Sequence, residues 1–356
     1  MEITINKVTL ETILNQIQNF LEKKDLSQIT SHILLEINNE NLIISATDYE
    51  IGLKVKTNNI SIKKEGKTTI SGKKLLDIIK NFKNEDISIK SQDNETIIKQ
   101  NRIKFKLPSM ITEEFPQFPN KENKNILEIK ENDISDIFKI VNNSIDLNNA
   151  KYELNGMLLK VNDNNISFIS TDTKRLTISE IQNLENKEIH NIIISKKTVN
   201  EIIKIFSKEI NLFFDNTTLI IEKNNFFFYS KLINVKYPDI EKIIPKEFNY
   251  ETNLIKNDFI NSINIIQSIS NNIKIFFKKD CIYFENLENL NMEAKTQLEI
   301  KSDFEISISI NGKYILDFLH SIEEDTFNIK MIDSDSPIVL ESNNNKVIIM
   351  TIKEFN

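Results

Sequence analysis

The fold is decided by a stretch that is written three times: Thr69-Ile-Ser-Gly-Lys-Lys-Leu-Leu-Asp-Ile-Ile79, Ile193-Ile-Ser-Lys-Lys-Thr-Val-Asn-Glu-Ile-Ile203 and Ser309-Ile-Asn-Gly-Lys-Tyr-Ile-Leu-Asp-Phe-Leu319. The copies lie 124 and then 116 residues apart, about a third of the 356-residue chain each. In every copy an alternating apolar segment meets Ser or Asn, which are favoured helix N-cap residues, and the apolar period then changes from two to about 3.6. The pattern predicts a β-strand that leads into a capped amphipathic helix in each third.

Another helix is predicted earlier in each third, beginning near Leu10, Ile134 and Phe259. In the first of these helices, apolar residues at 10, 13, 14 and 17 have the spacing of one buried stripe. Alternating strands follow, and each third closes with a predicted pair of strands, over 87–107, 210–232 and 327–352. Each third is therefore predicted to pack two helices on a many-stranded, mainly antiparallel sheet, so the fold class is α+β with three repeated domains.

Domain boundaries are expected at two segments that contain proline. The first is 115–124, Phe-Pro-Gln-Phe-Pro-Asn-Lys-Glu-Asn-Lys, and the second is 237–246, Tyr-Pro-Asp-Ile-Glu-Lys-Ile-Ile-Pro-Lys. We expect domains over 1–120, 121–246 and 247–356. Short linkers of this kind suit domains that pack in a fixed row.

The charge balance limits how the chain can meet nucleic acid. It carries 45 basic and 52 acidic residues, a formal charge of −7, so any contact with DNA must come from a segregated basic face. Arg102 and Arg175 are the only arginines. Lysine suits phosphate, whereas base reading favours the arginine fork, so we expect sequence-independent contact. One cysteine, no signal peptide and no long apolar segment indicate a cytoplasmic protein that does not cross a membrane.

The inventory of catalytic residues is small. Three histidines are widely separated, and neither a paired Cys motif nor a His-x-x-x-His spacing indicates zinc. All five glycines are isolated, so there is no Gly-rich phosphate loop. The pairs Thr47-Asp48 and Thr171-Asp172 recur 124 residues apart, which indicates a structural turn in which Asp accepts backbone hydrogen bonds. We predict a non-enzymatic protein without a catalytic residue, metal or cofactor.

The repeated plan resembles the bacterial sliding clamp, the beta subunit of DNA polymerase III. The resemblance covers the whole chain, and its most specific points are Ala46-Thr-Asp-Tyr-Glu-Ile51, Leu154-Asn-Gly-Met-Leu158, Ser170-Thr-Asp-Thr-Lys-Arg-Leu176, Lys236-Tyr-Pro-Asp-Ile-Glu-Lys-Ile-Ile-Pro245 and Asn291-Met-Glu-Ala294. The family implies a DNA clamp, or processivity, fold that assembles head to tail into a ring homodimer around double-stranded DNA. It also implies binding of the replicative polymerase subunit, the clamp loader and other clamp-motif proteins. The family belongs to a polymerase assembly, with its nucleotidyltransferase activity, but we expect no catalytic residue here.

Two apolar residues are candidates for the contact between subunits. Phe105 and Leu107 resemble the residues by which domain 1 of the family joins domain 3 of a partner subunit. The alternative is that both belong to the core of their own domain.

DNA contact would need lysines on the helices that face the hole, because duplex DNA carries dense negative charge. The predicted helices supply Lys23, Lys24, Lys73, Lys74, Lys80, Lys83, Lys139, Lys196, Lys197, Lys204 and Lys208. The alternative for any one lysine is a solvated helix face. Tyr152 lies in a loop that resembles a DNA-touching loop of the family, although a loop tyrosine is more often a packing residue.

The family implies an apolar cleft between domains 2 and 3 that takes short peptide motifs. The matching positions are Leu154, Thr171, Thr173, Lys174, Arg175, Leu176, Pro238, Lys242, Ile243, Tyr314, Ile348, Ile349, Met350, Thr351 and Ile352. A mostly apolar groove with a few polar groups suits such a ligand. The alternative for Ile348 and Ile349 is plain core. This chain departs from the family where Thr173-Lys174 replaces the common Gly-His, and in a longer tail that lacks proline after Met350.

A different class of function also fits the repeats. A scaffold protein of repeated α+β domains could bind peptides and never DNA. Assembly into a ring on DNA separates the two hypotheses.

Overall fold

Three repeats of one plan of helices and strands make up the chain, and a computed structural model describes it over residues 1–25, 27–129, 134–182, 189–287, 293–300 and 304–353. The residues fall into two compact units. Unit 1 comprises Met1–Lys130 and Glu209–Leu232, and unit 2 comprises Glu131–Lys208 and Ile233–Asn356. The quoted residues Asn291 and Met292 lie outside the described part.

Six α-helices lie in the described residues, two in each third, as predicted. They are α1 (Lys7–Ile17), α2 (Gly72–Lys80), α3 (Ile134–Asn142), α4 (Lys196–Ile205), α5 (Lys256–Gln267) and α6 (Gly312–Leu319). The first begins earlier than predicted because the Asn6 side chain caps it by accepting the Val8 N–H at 3.0 Å. Its predicted apolar stripe is buried.

The predicted caps form at two of the three repeated strand-to-helix passages. Ser195 accepts the Thr198 N–H at 3.3 Å, and Asn311 accepts the Lys313 N–H at 3.0 Å. The Ser71 side chain makes no capping hydrogen bond. The change of apolar period therefore marks the helix start even where the cap bond is absent.

Twenty-five strands are described. Up to the second helix pair they are β1 (Glu2–Asn6), β2 (His32–Asn38), β3 (Asn41–Thr47), β4 (Ile51–Thr57), β5 (Ile60–Lys64), β6 (Lys67–Ser71), β7 (Asp86–Gln92), β8 (Glu95–Gln100), β9 (Ile103–Pro108) and β10 (Asn125–Ile129). The next seven are β11 (Gly156–Val161), β12 (Asn165–Thr171), β13 (Arg175–Gln182), β14 (His190–Ser195), β15 (Ile210–Phe214), β16 (Thr218–Lys223) and β17 (Phe226–Lys231). The last eight are β18 (Tyr250–Ile255), β19 (Asn272–Lys278), β20 (Cys281–Asn286), β21 (Lys295–Glu299), β22 (Ile306–Asn311), β23 (Thr326–Met331), β24 (Ile338–Ser342) and β25 (Asn345–Ile349).

Each unit contains one eight-stranded sheet and one smaller sheet. In unit 1 the strand orders are β5-β1-β7-β8-β9 and β10-β15-β16-β17-β4-β3-β2-β6. In unit 2 they are β14-β11-β12-β13-β25-β24-β23-β18 and β21-β20-β19-β22. The eight-stranded sheets cross the expected domain boundaries, because β17 pairs antiparallel with β4 and β25 pairs antiparallel with β13. We call the β4–β17 pairing the first junction and the β13–β25 pairing the second junction.

The closing segment of each third has three strands, so the prediction of a strand pair is wrong. The strands β7-β8-β9, β15-β16-β17 and β23-β24-β25 each form an antiparallel meander. The extra hairpins turn on Asn101, Asn224 and Asn343, which have φ values of 53°, 54° and 48°. Asparagine tolerates this left-handed region, so it replaces glycine at tight turns in a chain with only 5 Gly.

The core of the C-terminal third is built around Phe259 on α5. Its ring makes edge contacts with Phe284 at 5.1 Å and with Phe327 at 5.4 Å between centroids. Phe259 is fully buried in a cluster drawn from α5, α6 and both sheets of unit 2. Interlocked aromatic rings of this kind contribute packing energy beyond the buried area.

We expect Phe259→Ala to lower the free energy of unfolding by about 3 to 5 kcal/mol, because it removes a large buried ring and leaves a cavity. Chemical denaturation followed by circular dichroism measures the change. Ile265→Ala is the matched control, since Ile265 lies on the same helix and is 53% exposed. Equal losses for the two variants would contradict this description of the core.

Candidate functional site

The two Thr-Asp pairs form the same structural turn, as the sequence predicts. Asp172 Oδ1 accepts the N–H groups of Lys174 and Arg175, both at 2.9 Å, and Thr171 Oγ1 accepts that of Thr173 at 3.1 Å. Asp48 and Thr47 make the equivalent bonds to residues 49–51. The turn at Thr171-Asp172 sets the start of β13 and thus the position of the second junction.

Thr173 holds this turn in a strained conformation. Its φ is 74°, in the left-handed region that β-branched residues disfavour, at a cost of about 1–3 kcal/mol. Glycine, which the resemblance expects at this position, would adopt it freely. Thr173 and Lys174 are both exposed, so a threonine methyl group and a lysine ammonium group stand at the edge of the second junction.

The second junction has an apolar floor. Leu176 on β13 lies opposite Ile348 on β25, and the two side chains are 2% and 1% exposed. They belong to one buried cluster with Leu154, Val339 and Tyr237. Burial raises the pKa of the Tyr237 hydroxyl, so it is protonated at neutral pH.

Exposed side chains follow closely in the chain after residues of this cluster. Met350 continues β25 by donating its N–H to the Lys174 carbonyl at 2.9 Å, and its side chain is 42% exposed. Ile243 is 45% exposed, and Pro238 and Lys242 are also exposed. Exposed apolar groups beside a buried apolar floor are typical of a surface that binds another molecule. We call this floor and its exposed surroundings the junction cleft.

Arg175 lies on the opposite face of β13 from Leu176, because neighbouring side chains in a strand alternate. It is 7% exposed. Its Nε donates to Asp172 at 3.0 Å, Nη1 donates to Asp317 at 2.7 Å, and Nη2 donates to the Asn143 carbonyl. The guanidinium group also stacks 4.4 Å from the Tyr314 ring centroid. Each of its three nitrogens thus donates to a residue of this chain, so Arg175 ties α6 and the end of α3 to β13.

Other residues predicted for the cleft lie away from the Leu176–Ile348 floor. Tyr314 is half-buried, and burial, followed by the charge of Asp172, raises its pKa. Ile349 is fully buried in the C-terminal core, in line with its alternative. Thr351 donates to the Asp335 carbonyl at 2.7 Å, and the Ile352 N–H donates to the Ser309 carbonyl at 2.7 Å. Tyr314 and Ile349 thus lie with Arg175 on the other face of the second junction from Leu176, whereas Thr351 and Ile352 bond to other segments beyond the end of β25.

Sequence reasoning missed Asp317 and Tyr237 as parts of this region. Asp317 has a signal in the repeat, because Asp77 and Glu201 stand at the same position of the other two copies. Tyr237 precedes the predicted Pro238 and belongs to the buried floor.

The predicted DNA-facing lysines are mostly exposed. Lys73, Lys74 and Lys80 lie on α2, Lys139 on α3 and Lys204 on α4, and all five are exposed. Lys23 and Lys24 follow the 3-10 turn Gln18–Phe20 and lie beyond the end of α1, where they were predicted to close the helix. Lys83 and Lys208 likewise follow their helices.

Some of these lysines already have partners. Lys139 pairs with Asp136 at 2.6 Å, and Lys204 pairs with Glu201 at 2.7 Å. Lys196 is half-buried and donates to the Ile145 carbonyl at 2.5 Å. Burial, followed by the nearby charge of Arg175, lowers the pKa of Lys196. Lys197 is half-buried.

Three lysines of unit 1 converge. Lys23, Lys73 and Lys80 line one cavity of about 270 Å³ between the end of α1 and α2, together with the acidic Glu22 and Asp77.

Tyr152 is 62% exposed, at the start of a 3-10 turn.

Phe105 and Leu107 lie on β9, an edge strand of the five-stranded sheet. Phe105 is 39% exposed with its ring centroid 6.0 Å from that of Phe82, and Leu107 is half-buried. Neither side chain is sealed in the core of its own domain.

The part of the chain that the structure describes contains no group of three or more His, Cys, Asp or Glu residues arranged to hold a metal ion. None of the described helices is long and apolar enough to cross a membrane. His32 is buried, and this burial, followed by the charge of Lys74, lowers its pKa. His32 therefore belongs to the interior of its own third and favours the neutral form.

The three thirds match three consecutive family models. These are the DNA polymerase III beta subunit N-terminal domain over 1–119, the central domain over 128–239 and the C-terminal domain over 241–354. Repeated α+β domains that share sheets across their boundaries define the chain as a DNA clamp in class.

Whole-chain comparisons agree. The beta sliding clamp of Helicobacter pylori strain J99 is 36% identical over 351 residues, covering 96% of this chain and 94% of the relative. The Helicobacter pylori beta clamp bound to a DNA ligase peptide is 34% identical with a TM-score of 0.94, covering 99% of this chain and 100% of that one. A Pseudomonas aeruginosa sliding clamp bound to griselimycin, 20% identical with a TM-score of 0.90 and covering 99% of this chain and 100% of that one, shares the fold.

The chain belongs to the DNA polymerase III beta subunit family, the bacterial beta sliding clamps. Its members are non-catalytic processivity factors of DNA replication, so nucleotidyl transfer belongs to the polymerase and not to this chain.

Arg175→Ala should lower the free energy of unfolding by about 3 kcal/mol, because it leaves Asp172 and Asp317 partly buried without their cation. Chemical denaturation measures the loss. The control is Lys174→Ala, an exposed neighbour whose removal should change stability by less than about 0.5 kcal/mol. If Arg175→Ala lowered the free energy of unfolding no more than Lys174→Ala does, the contacts of Arg175 with Asp172 and Asp317 would not stabilise the fold.

Proposed function

We propose that two copies of this chain close head to tail into a ring around duplex DNA in the cytoplasm, and that the junction cleft holds the replicative polymerase. The clamp loader and other clamp-motif proteins would use the same cleft. The observation that carries the proposal is the buried Leu176–Ile348 floor, with exposed Met350 two residues after Ile348 and exposed Ile243 next to Ile244, which packs against the same cluster.

The cleft fits a short apolar peptide. Aliphatic side chains on both strands of the second junction offer anchor sites, and the flexible Met350 side chain can adapt to different partners. Lys174 and Lys242 place positive charge at the edge, where it favours peptides with acidic residues. The Helicobacter pylori relative binds a DNA ligase peptide, which supports the same class of ligand here.

Arg175 would not contact the peptide itself, and would affect binding only by holding the elements around the cleft in place. Its guanidinium group is buried against Asp172, Asp317 and Tyr314, so it fixes the helix face while Leu176 faces the ligand. Pro238, Thr173 and Lys174 are the exposed groups that would decide which peptide is preferred.

Met350→Ala should weaken binding of a fluorescent DNA ligase peptide by about 1–2 kcal/mol, because the exposed anchor contact is lost while the core is untouched. Fluorescence anisotropy measures the affinity. Ile255→Ala removes a comparably exposed apolar group, 53% exposed in the same unit, and should bind like the unmodified chain. Unchanged affinity in both variants would exclude the junction cleft as the peptide site.

The repeat supports ring closure. The first junction pairs β4 with β17, and the second pairs β13 with β25, so the third strand of one repeat's sheet pairs with the last meander strand of the next. The remaining equivalents are β21 and β9, and each is an edge strand of its own sheet. A β21–β9 pairing between two copies would complete the series, which is a heterologous contact that can close into a ring.

Phe105 supports this pairing. Counted from the turn residues Asn101, Asn224 and Asn343, it corresponds to Phe228 and Val347, which are 0% and 1% exposed at their junctions. Phe105 is 39% exposed. A second copy that pairs with β9 would bury the Phe105 phenyl ring, as Phe228 and Val347 are buried at the first and second junctions.

We expect Phe105→Asp to convert the dimer into a 41.5 kDa monomer, because a carboxylate would replace the buried ring at the joint. Light scattering gives the mass. Ile126→Asp is the control, since Ile126 is 58% exposed on β10, another edge strand of unit 1. If the unmodified chain has the mass of one copy at micromolar concentration, the ring proposal is wrong.

The lysines would hold DNA loosely. The chain carries a formal charge of −7, so attraction must come from local clusters such as Lys23, Lys73 and Lys80. Sliding requires weak, sequence-independent phosphate contacts, which lysine provides. Retention would then come from encirclement and not from affinity. The other lysines of the predicted set, and Tyr152, would add to the same lining.

After loading by a bacterial clamp loader, the protein should stay on nicked circular DNA and leave the same DNA within minutes of its linearisation, because only an end releases a ring. Gel filtration of labelled protein separates bound from free. Phe105→Asp, which cannot close, should be retained on neither form. Equal retention on circles and on linear DNA would refute encirclement and favour direct binding.

A further inference from the structure

The two junctions share one backbone plan. In the first junction Gly52 lies opposite Tyr229, and in the second Leu176 lies opposite Ile348. The Glu50 carbonyl accepts the Lys231 N–H at 2.8 Å, just as the Lys174 carbonyl accepts the Met350 N–H at 2.9 Å. In both junctions the first strand follows the same Thr-Asp turn. Position for position, the backbone of the first junction therefore repeats the backbone of the second junction, which carries the junction cleft.

The side chains on this frame differ. A Cβ at Gly52 would lie 2.2 Å from Tyr229 Cε1, so the tyrosine ring occupies the space that Leu176 fills in the second junction. Tyr229 is 6% exposed. The ring therefore lies against the bare backbone of β4, where no residue other than glycine leaves room for it.

The ring is held at both ends. Its hydroxyl shares a 2.6 Å hydrogen bond with Thr47 Oγ1, the threonine of the turn. The Phe118 ring meets it edge-on at 4.8 Å between centroids, and Lys54 Nζ lies 4.5 Å from the centroid of Phe118. Phe118 precedes Pro119 as Tyr237 precedes Pro238, so the segment that borders the junction cleft has a counterpart here as well.

We infer that the first junction contains a second groove of the same plan, which the chain closes from within by placing Tyr229 on Gly52, and that this closure limits an apolar clamp-binding peptide to one groove per chain. The inference rests on the proposed peptide-binding function. The occupant of the closed groove is the chain's own tyrosine, an aromatic ring anchored by one polar group, which is the kind of side chain that an apolar peptide would insert.

Opening the groove is the direct test. The pair Gly52→Leu/Tyr229→Ile gives the first junction the residues of the second, and Tyr229→Ala simply removes the ring. Tyr229→Phe is the matched control, because it keeps the ring and loses only the hydrogen bond to Thr47. Titration calorimetry with the DNA ligase peptide should give one site per chain for the unmodified protein and for Tyr229→Phe, and two for each opened variant.

A variant whose junction cleft is blocked gives a simpler result, because peptide can then bind only at the first junction. With Leu176→Asp closing the junction cleft, the otherwise unmodified chain should lose peptide binding by at least about 100-fold, and adding Gly52→Leu/Tyr229→Ile should restore it. A folded opened variant, with an unchanged circular dichroism spectrum, that still binds one peptide would overturn the inference. Binding of two peptides to each unmodified chain would also overturn the inference. If the unmodified chain bound no peptide, the proposed function would be refuted instead.

The converse exchange covers a failure of the opened variants to fold. Leu176→Gly/Ile348→Tyr installs the tyrosine on glycine in the second junction, and it should reduce peptide affinity at least about tenfold below that of Leu176→Gly alone. An affinity equal to that of Leu176→Gly would show that a tyrosine in this place does not close a groove, and the inference would fail.

Discussion

Backbone hydrogen bonding between neighbouring repeats is the constraint on which the rest of this structure depends. A sheet that ended at a repeat boundary would leave a row of unpaired N–H and C=O groups, each costly to bury and open to the wrong partner if exposed. Pairing β4 with β17 and β13 with β25 satisfies those groups and fixes the register at both junctions. The register then decides which side chains face each other, and so it creates the Leu176–Ile348 floor as a by-product of sheet continuity.

Strand alternation gives one short segment two separate tasks. On one face of β13, Leu176 contributes to an apolar floor that has no need of charge. On the other face, Arg175 gathers two carboxylates, a carbonyl and an aromatic ring from α6 and the end of α3. Because these residues are adjacent, a ligand that contacts the floor is placed one residue from the group that ties the helices to the sheet. The polar network rigidifies the cleft without occupying it, which is how buried ion pairs specify geometry more than they add stability.

The helices and the repeat could be predicted from the sequence because their signals are local: an apolar stripe, a capping Asn or Ser, and a change of period. The third strand of each meander could not, because its turns use Asn101, Asn224 and Asn343 where glycine is the usual marker. The opposite placement of Arg175 and Leu176 follows from alternation once β13 is known to begin at Arg175. The resemblance to a family gives the positions of site residues, but it does not say on which face of a strand each side chain lies. The partners Asp317 and Asn143 lie more than 30 residues away in the chain, where no periodicity reaches.

The edge of β9, which has no neighbouring strand among the described residues, has a consequence for how copies of this chain could meet. A strand with exposed Ile103 and Phe105 along an open hydrogen-bonding edge can pair with an extended segment of another chain. If β9 of one copy paired with β21 of the next, as proposed, each copy would offer two pairing edges, and head-to-tail addition would stop only where the angle between copies closed a ring. In the proposed assembly, the angle between copies would therefore decide the product, and a small error in that angle would give a growing fibre in place of a closed ring.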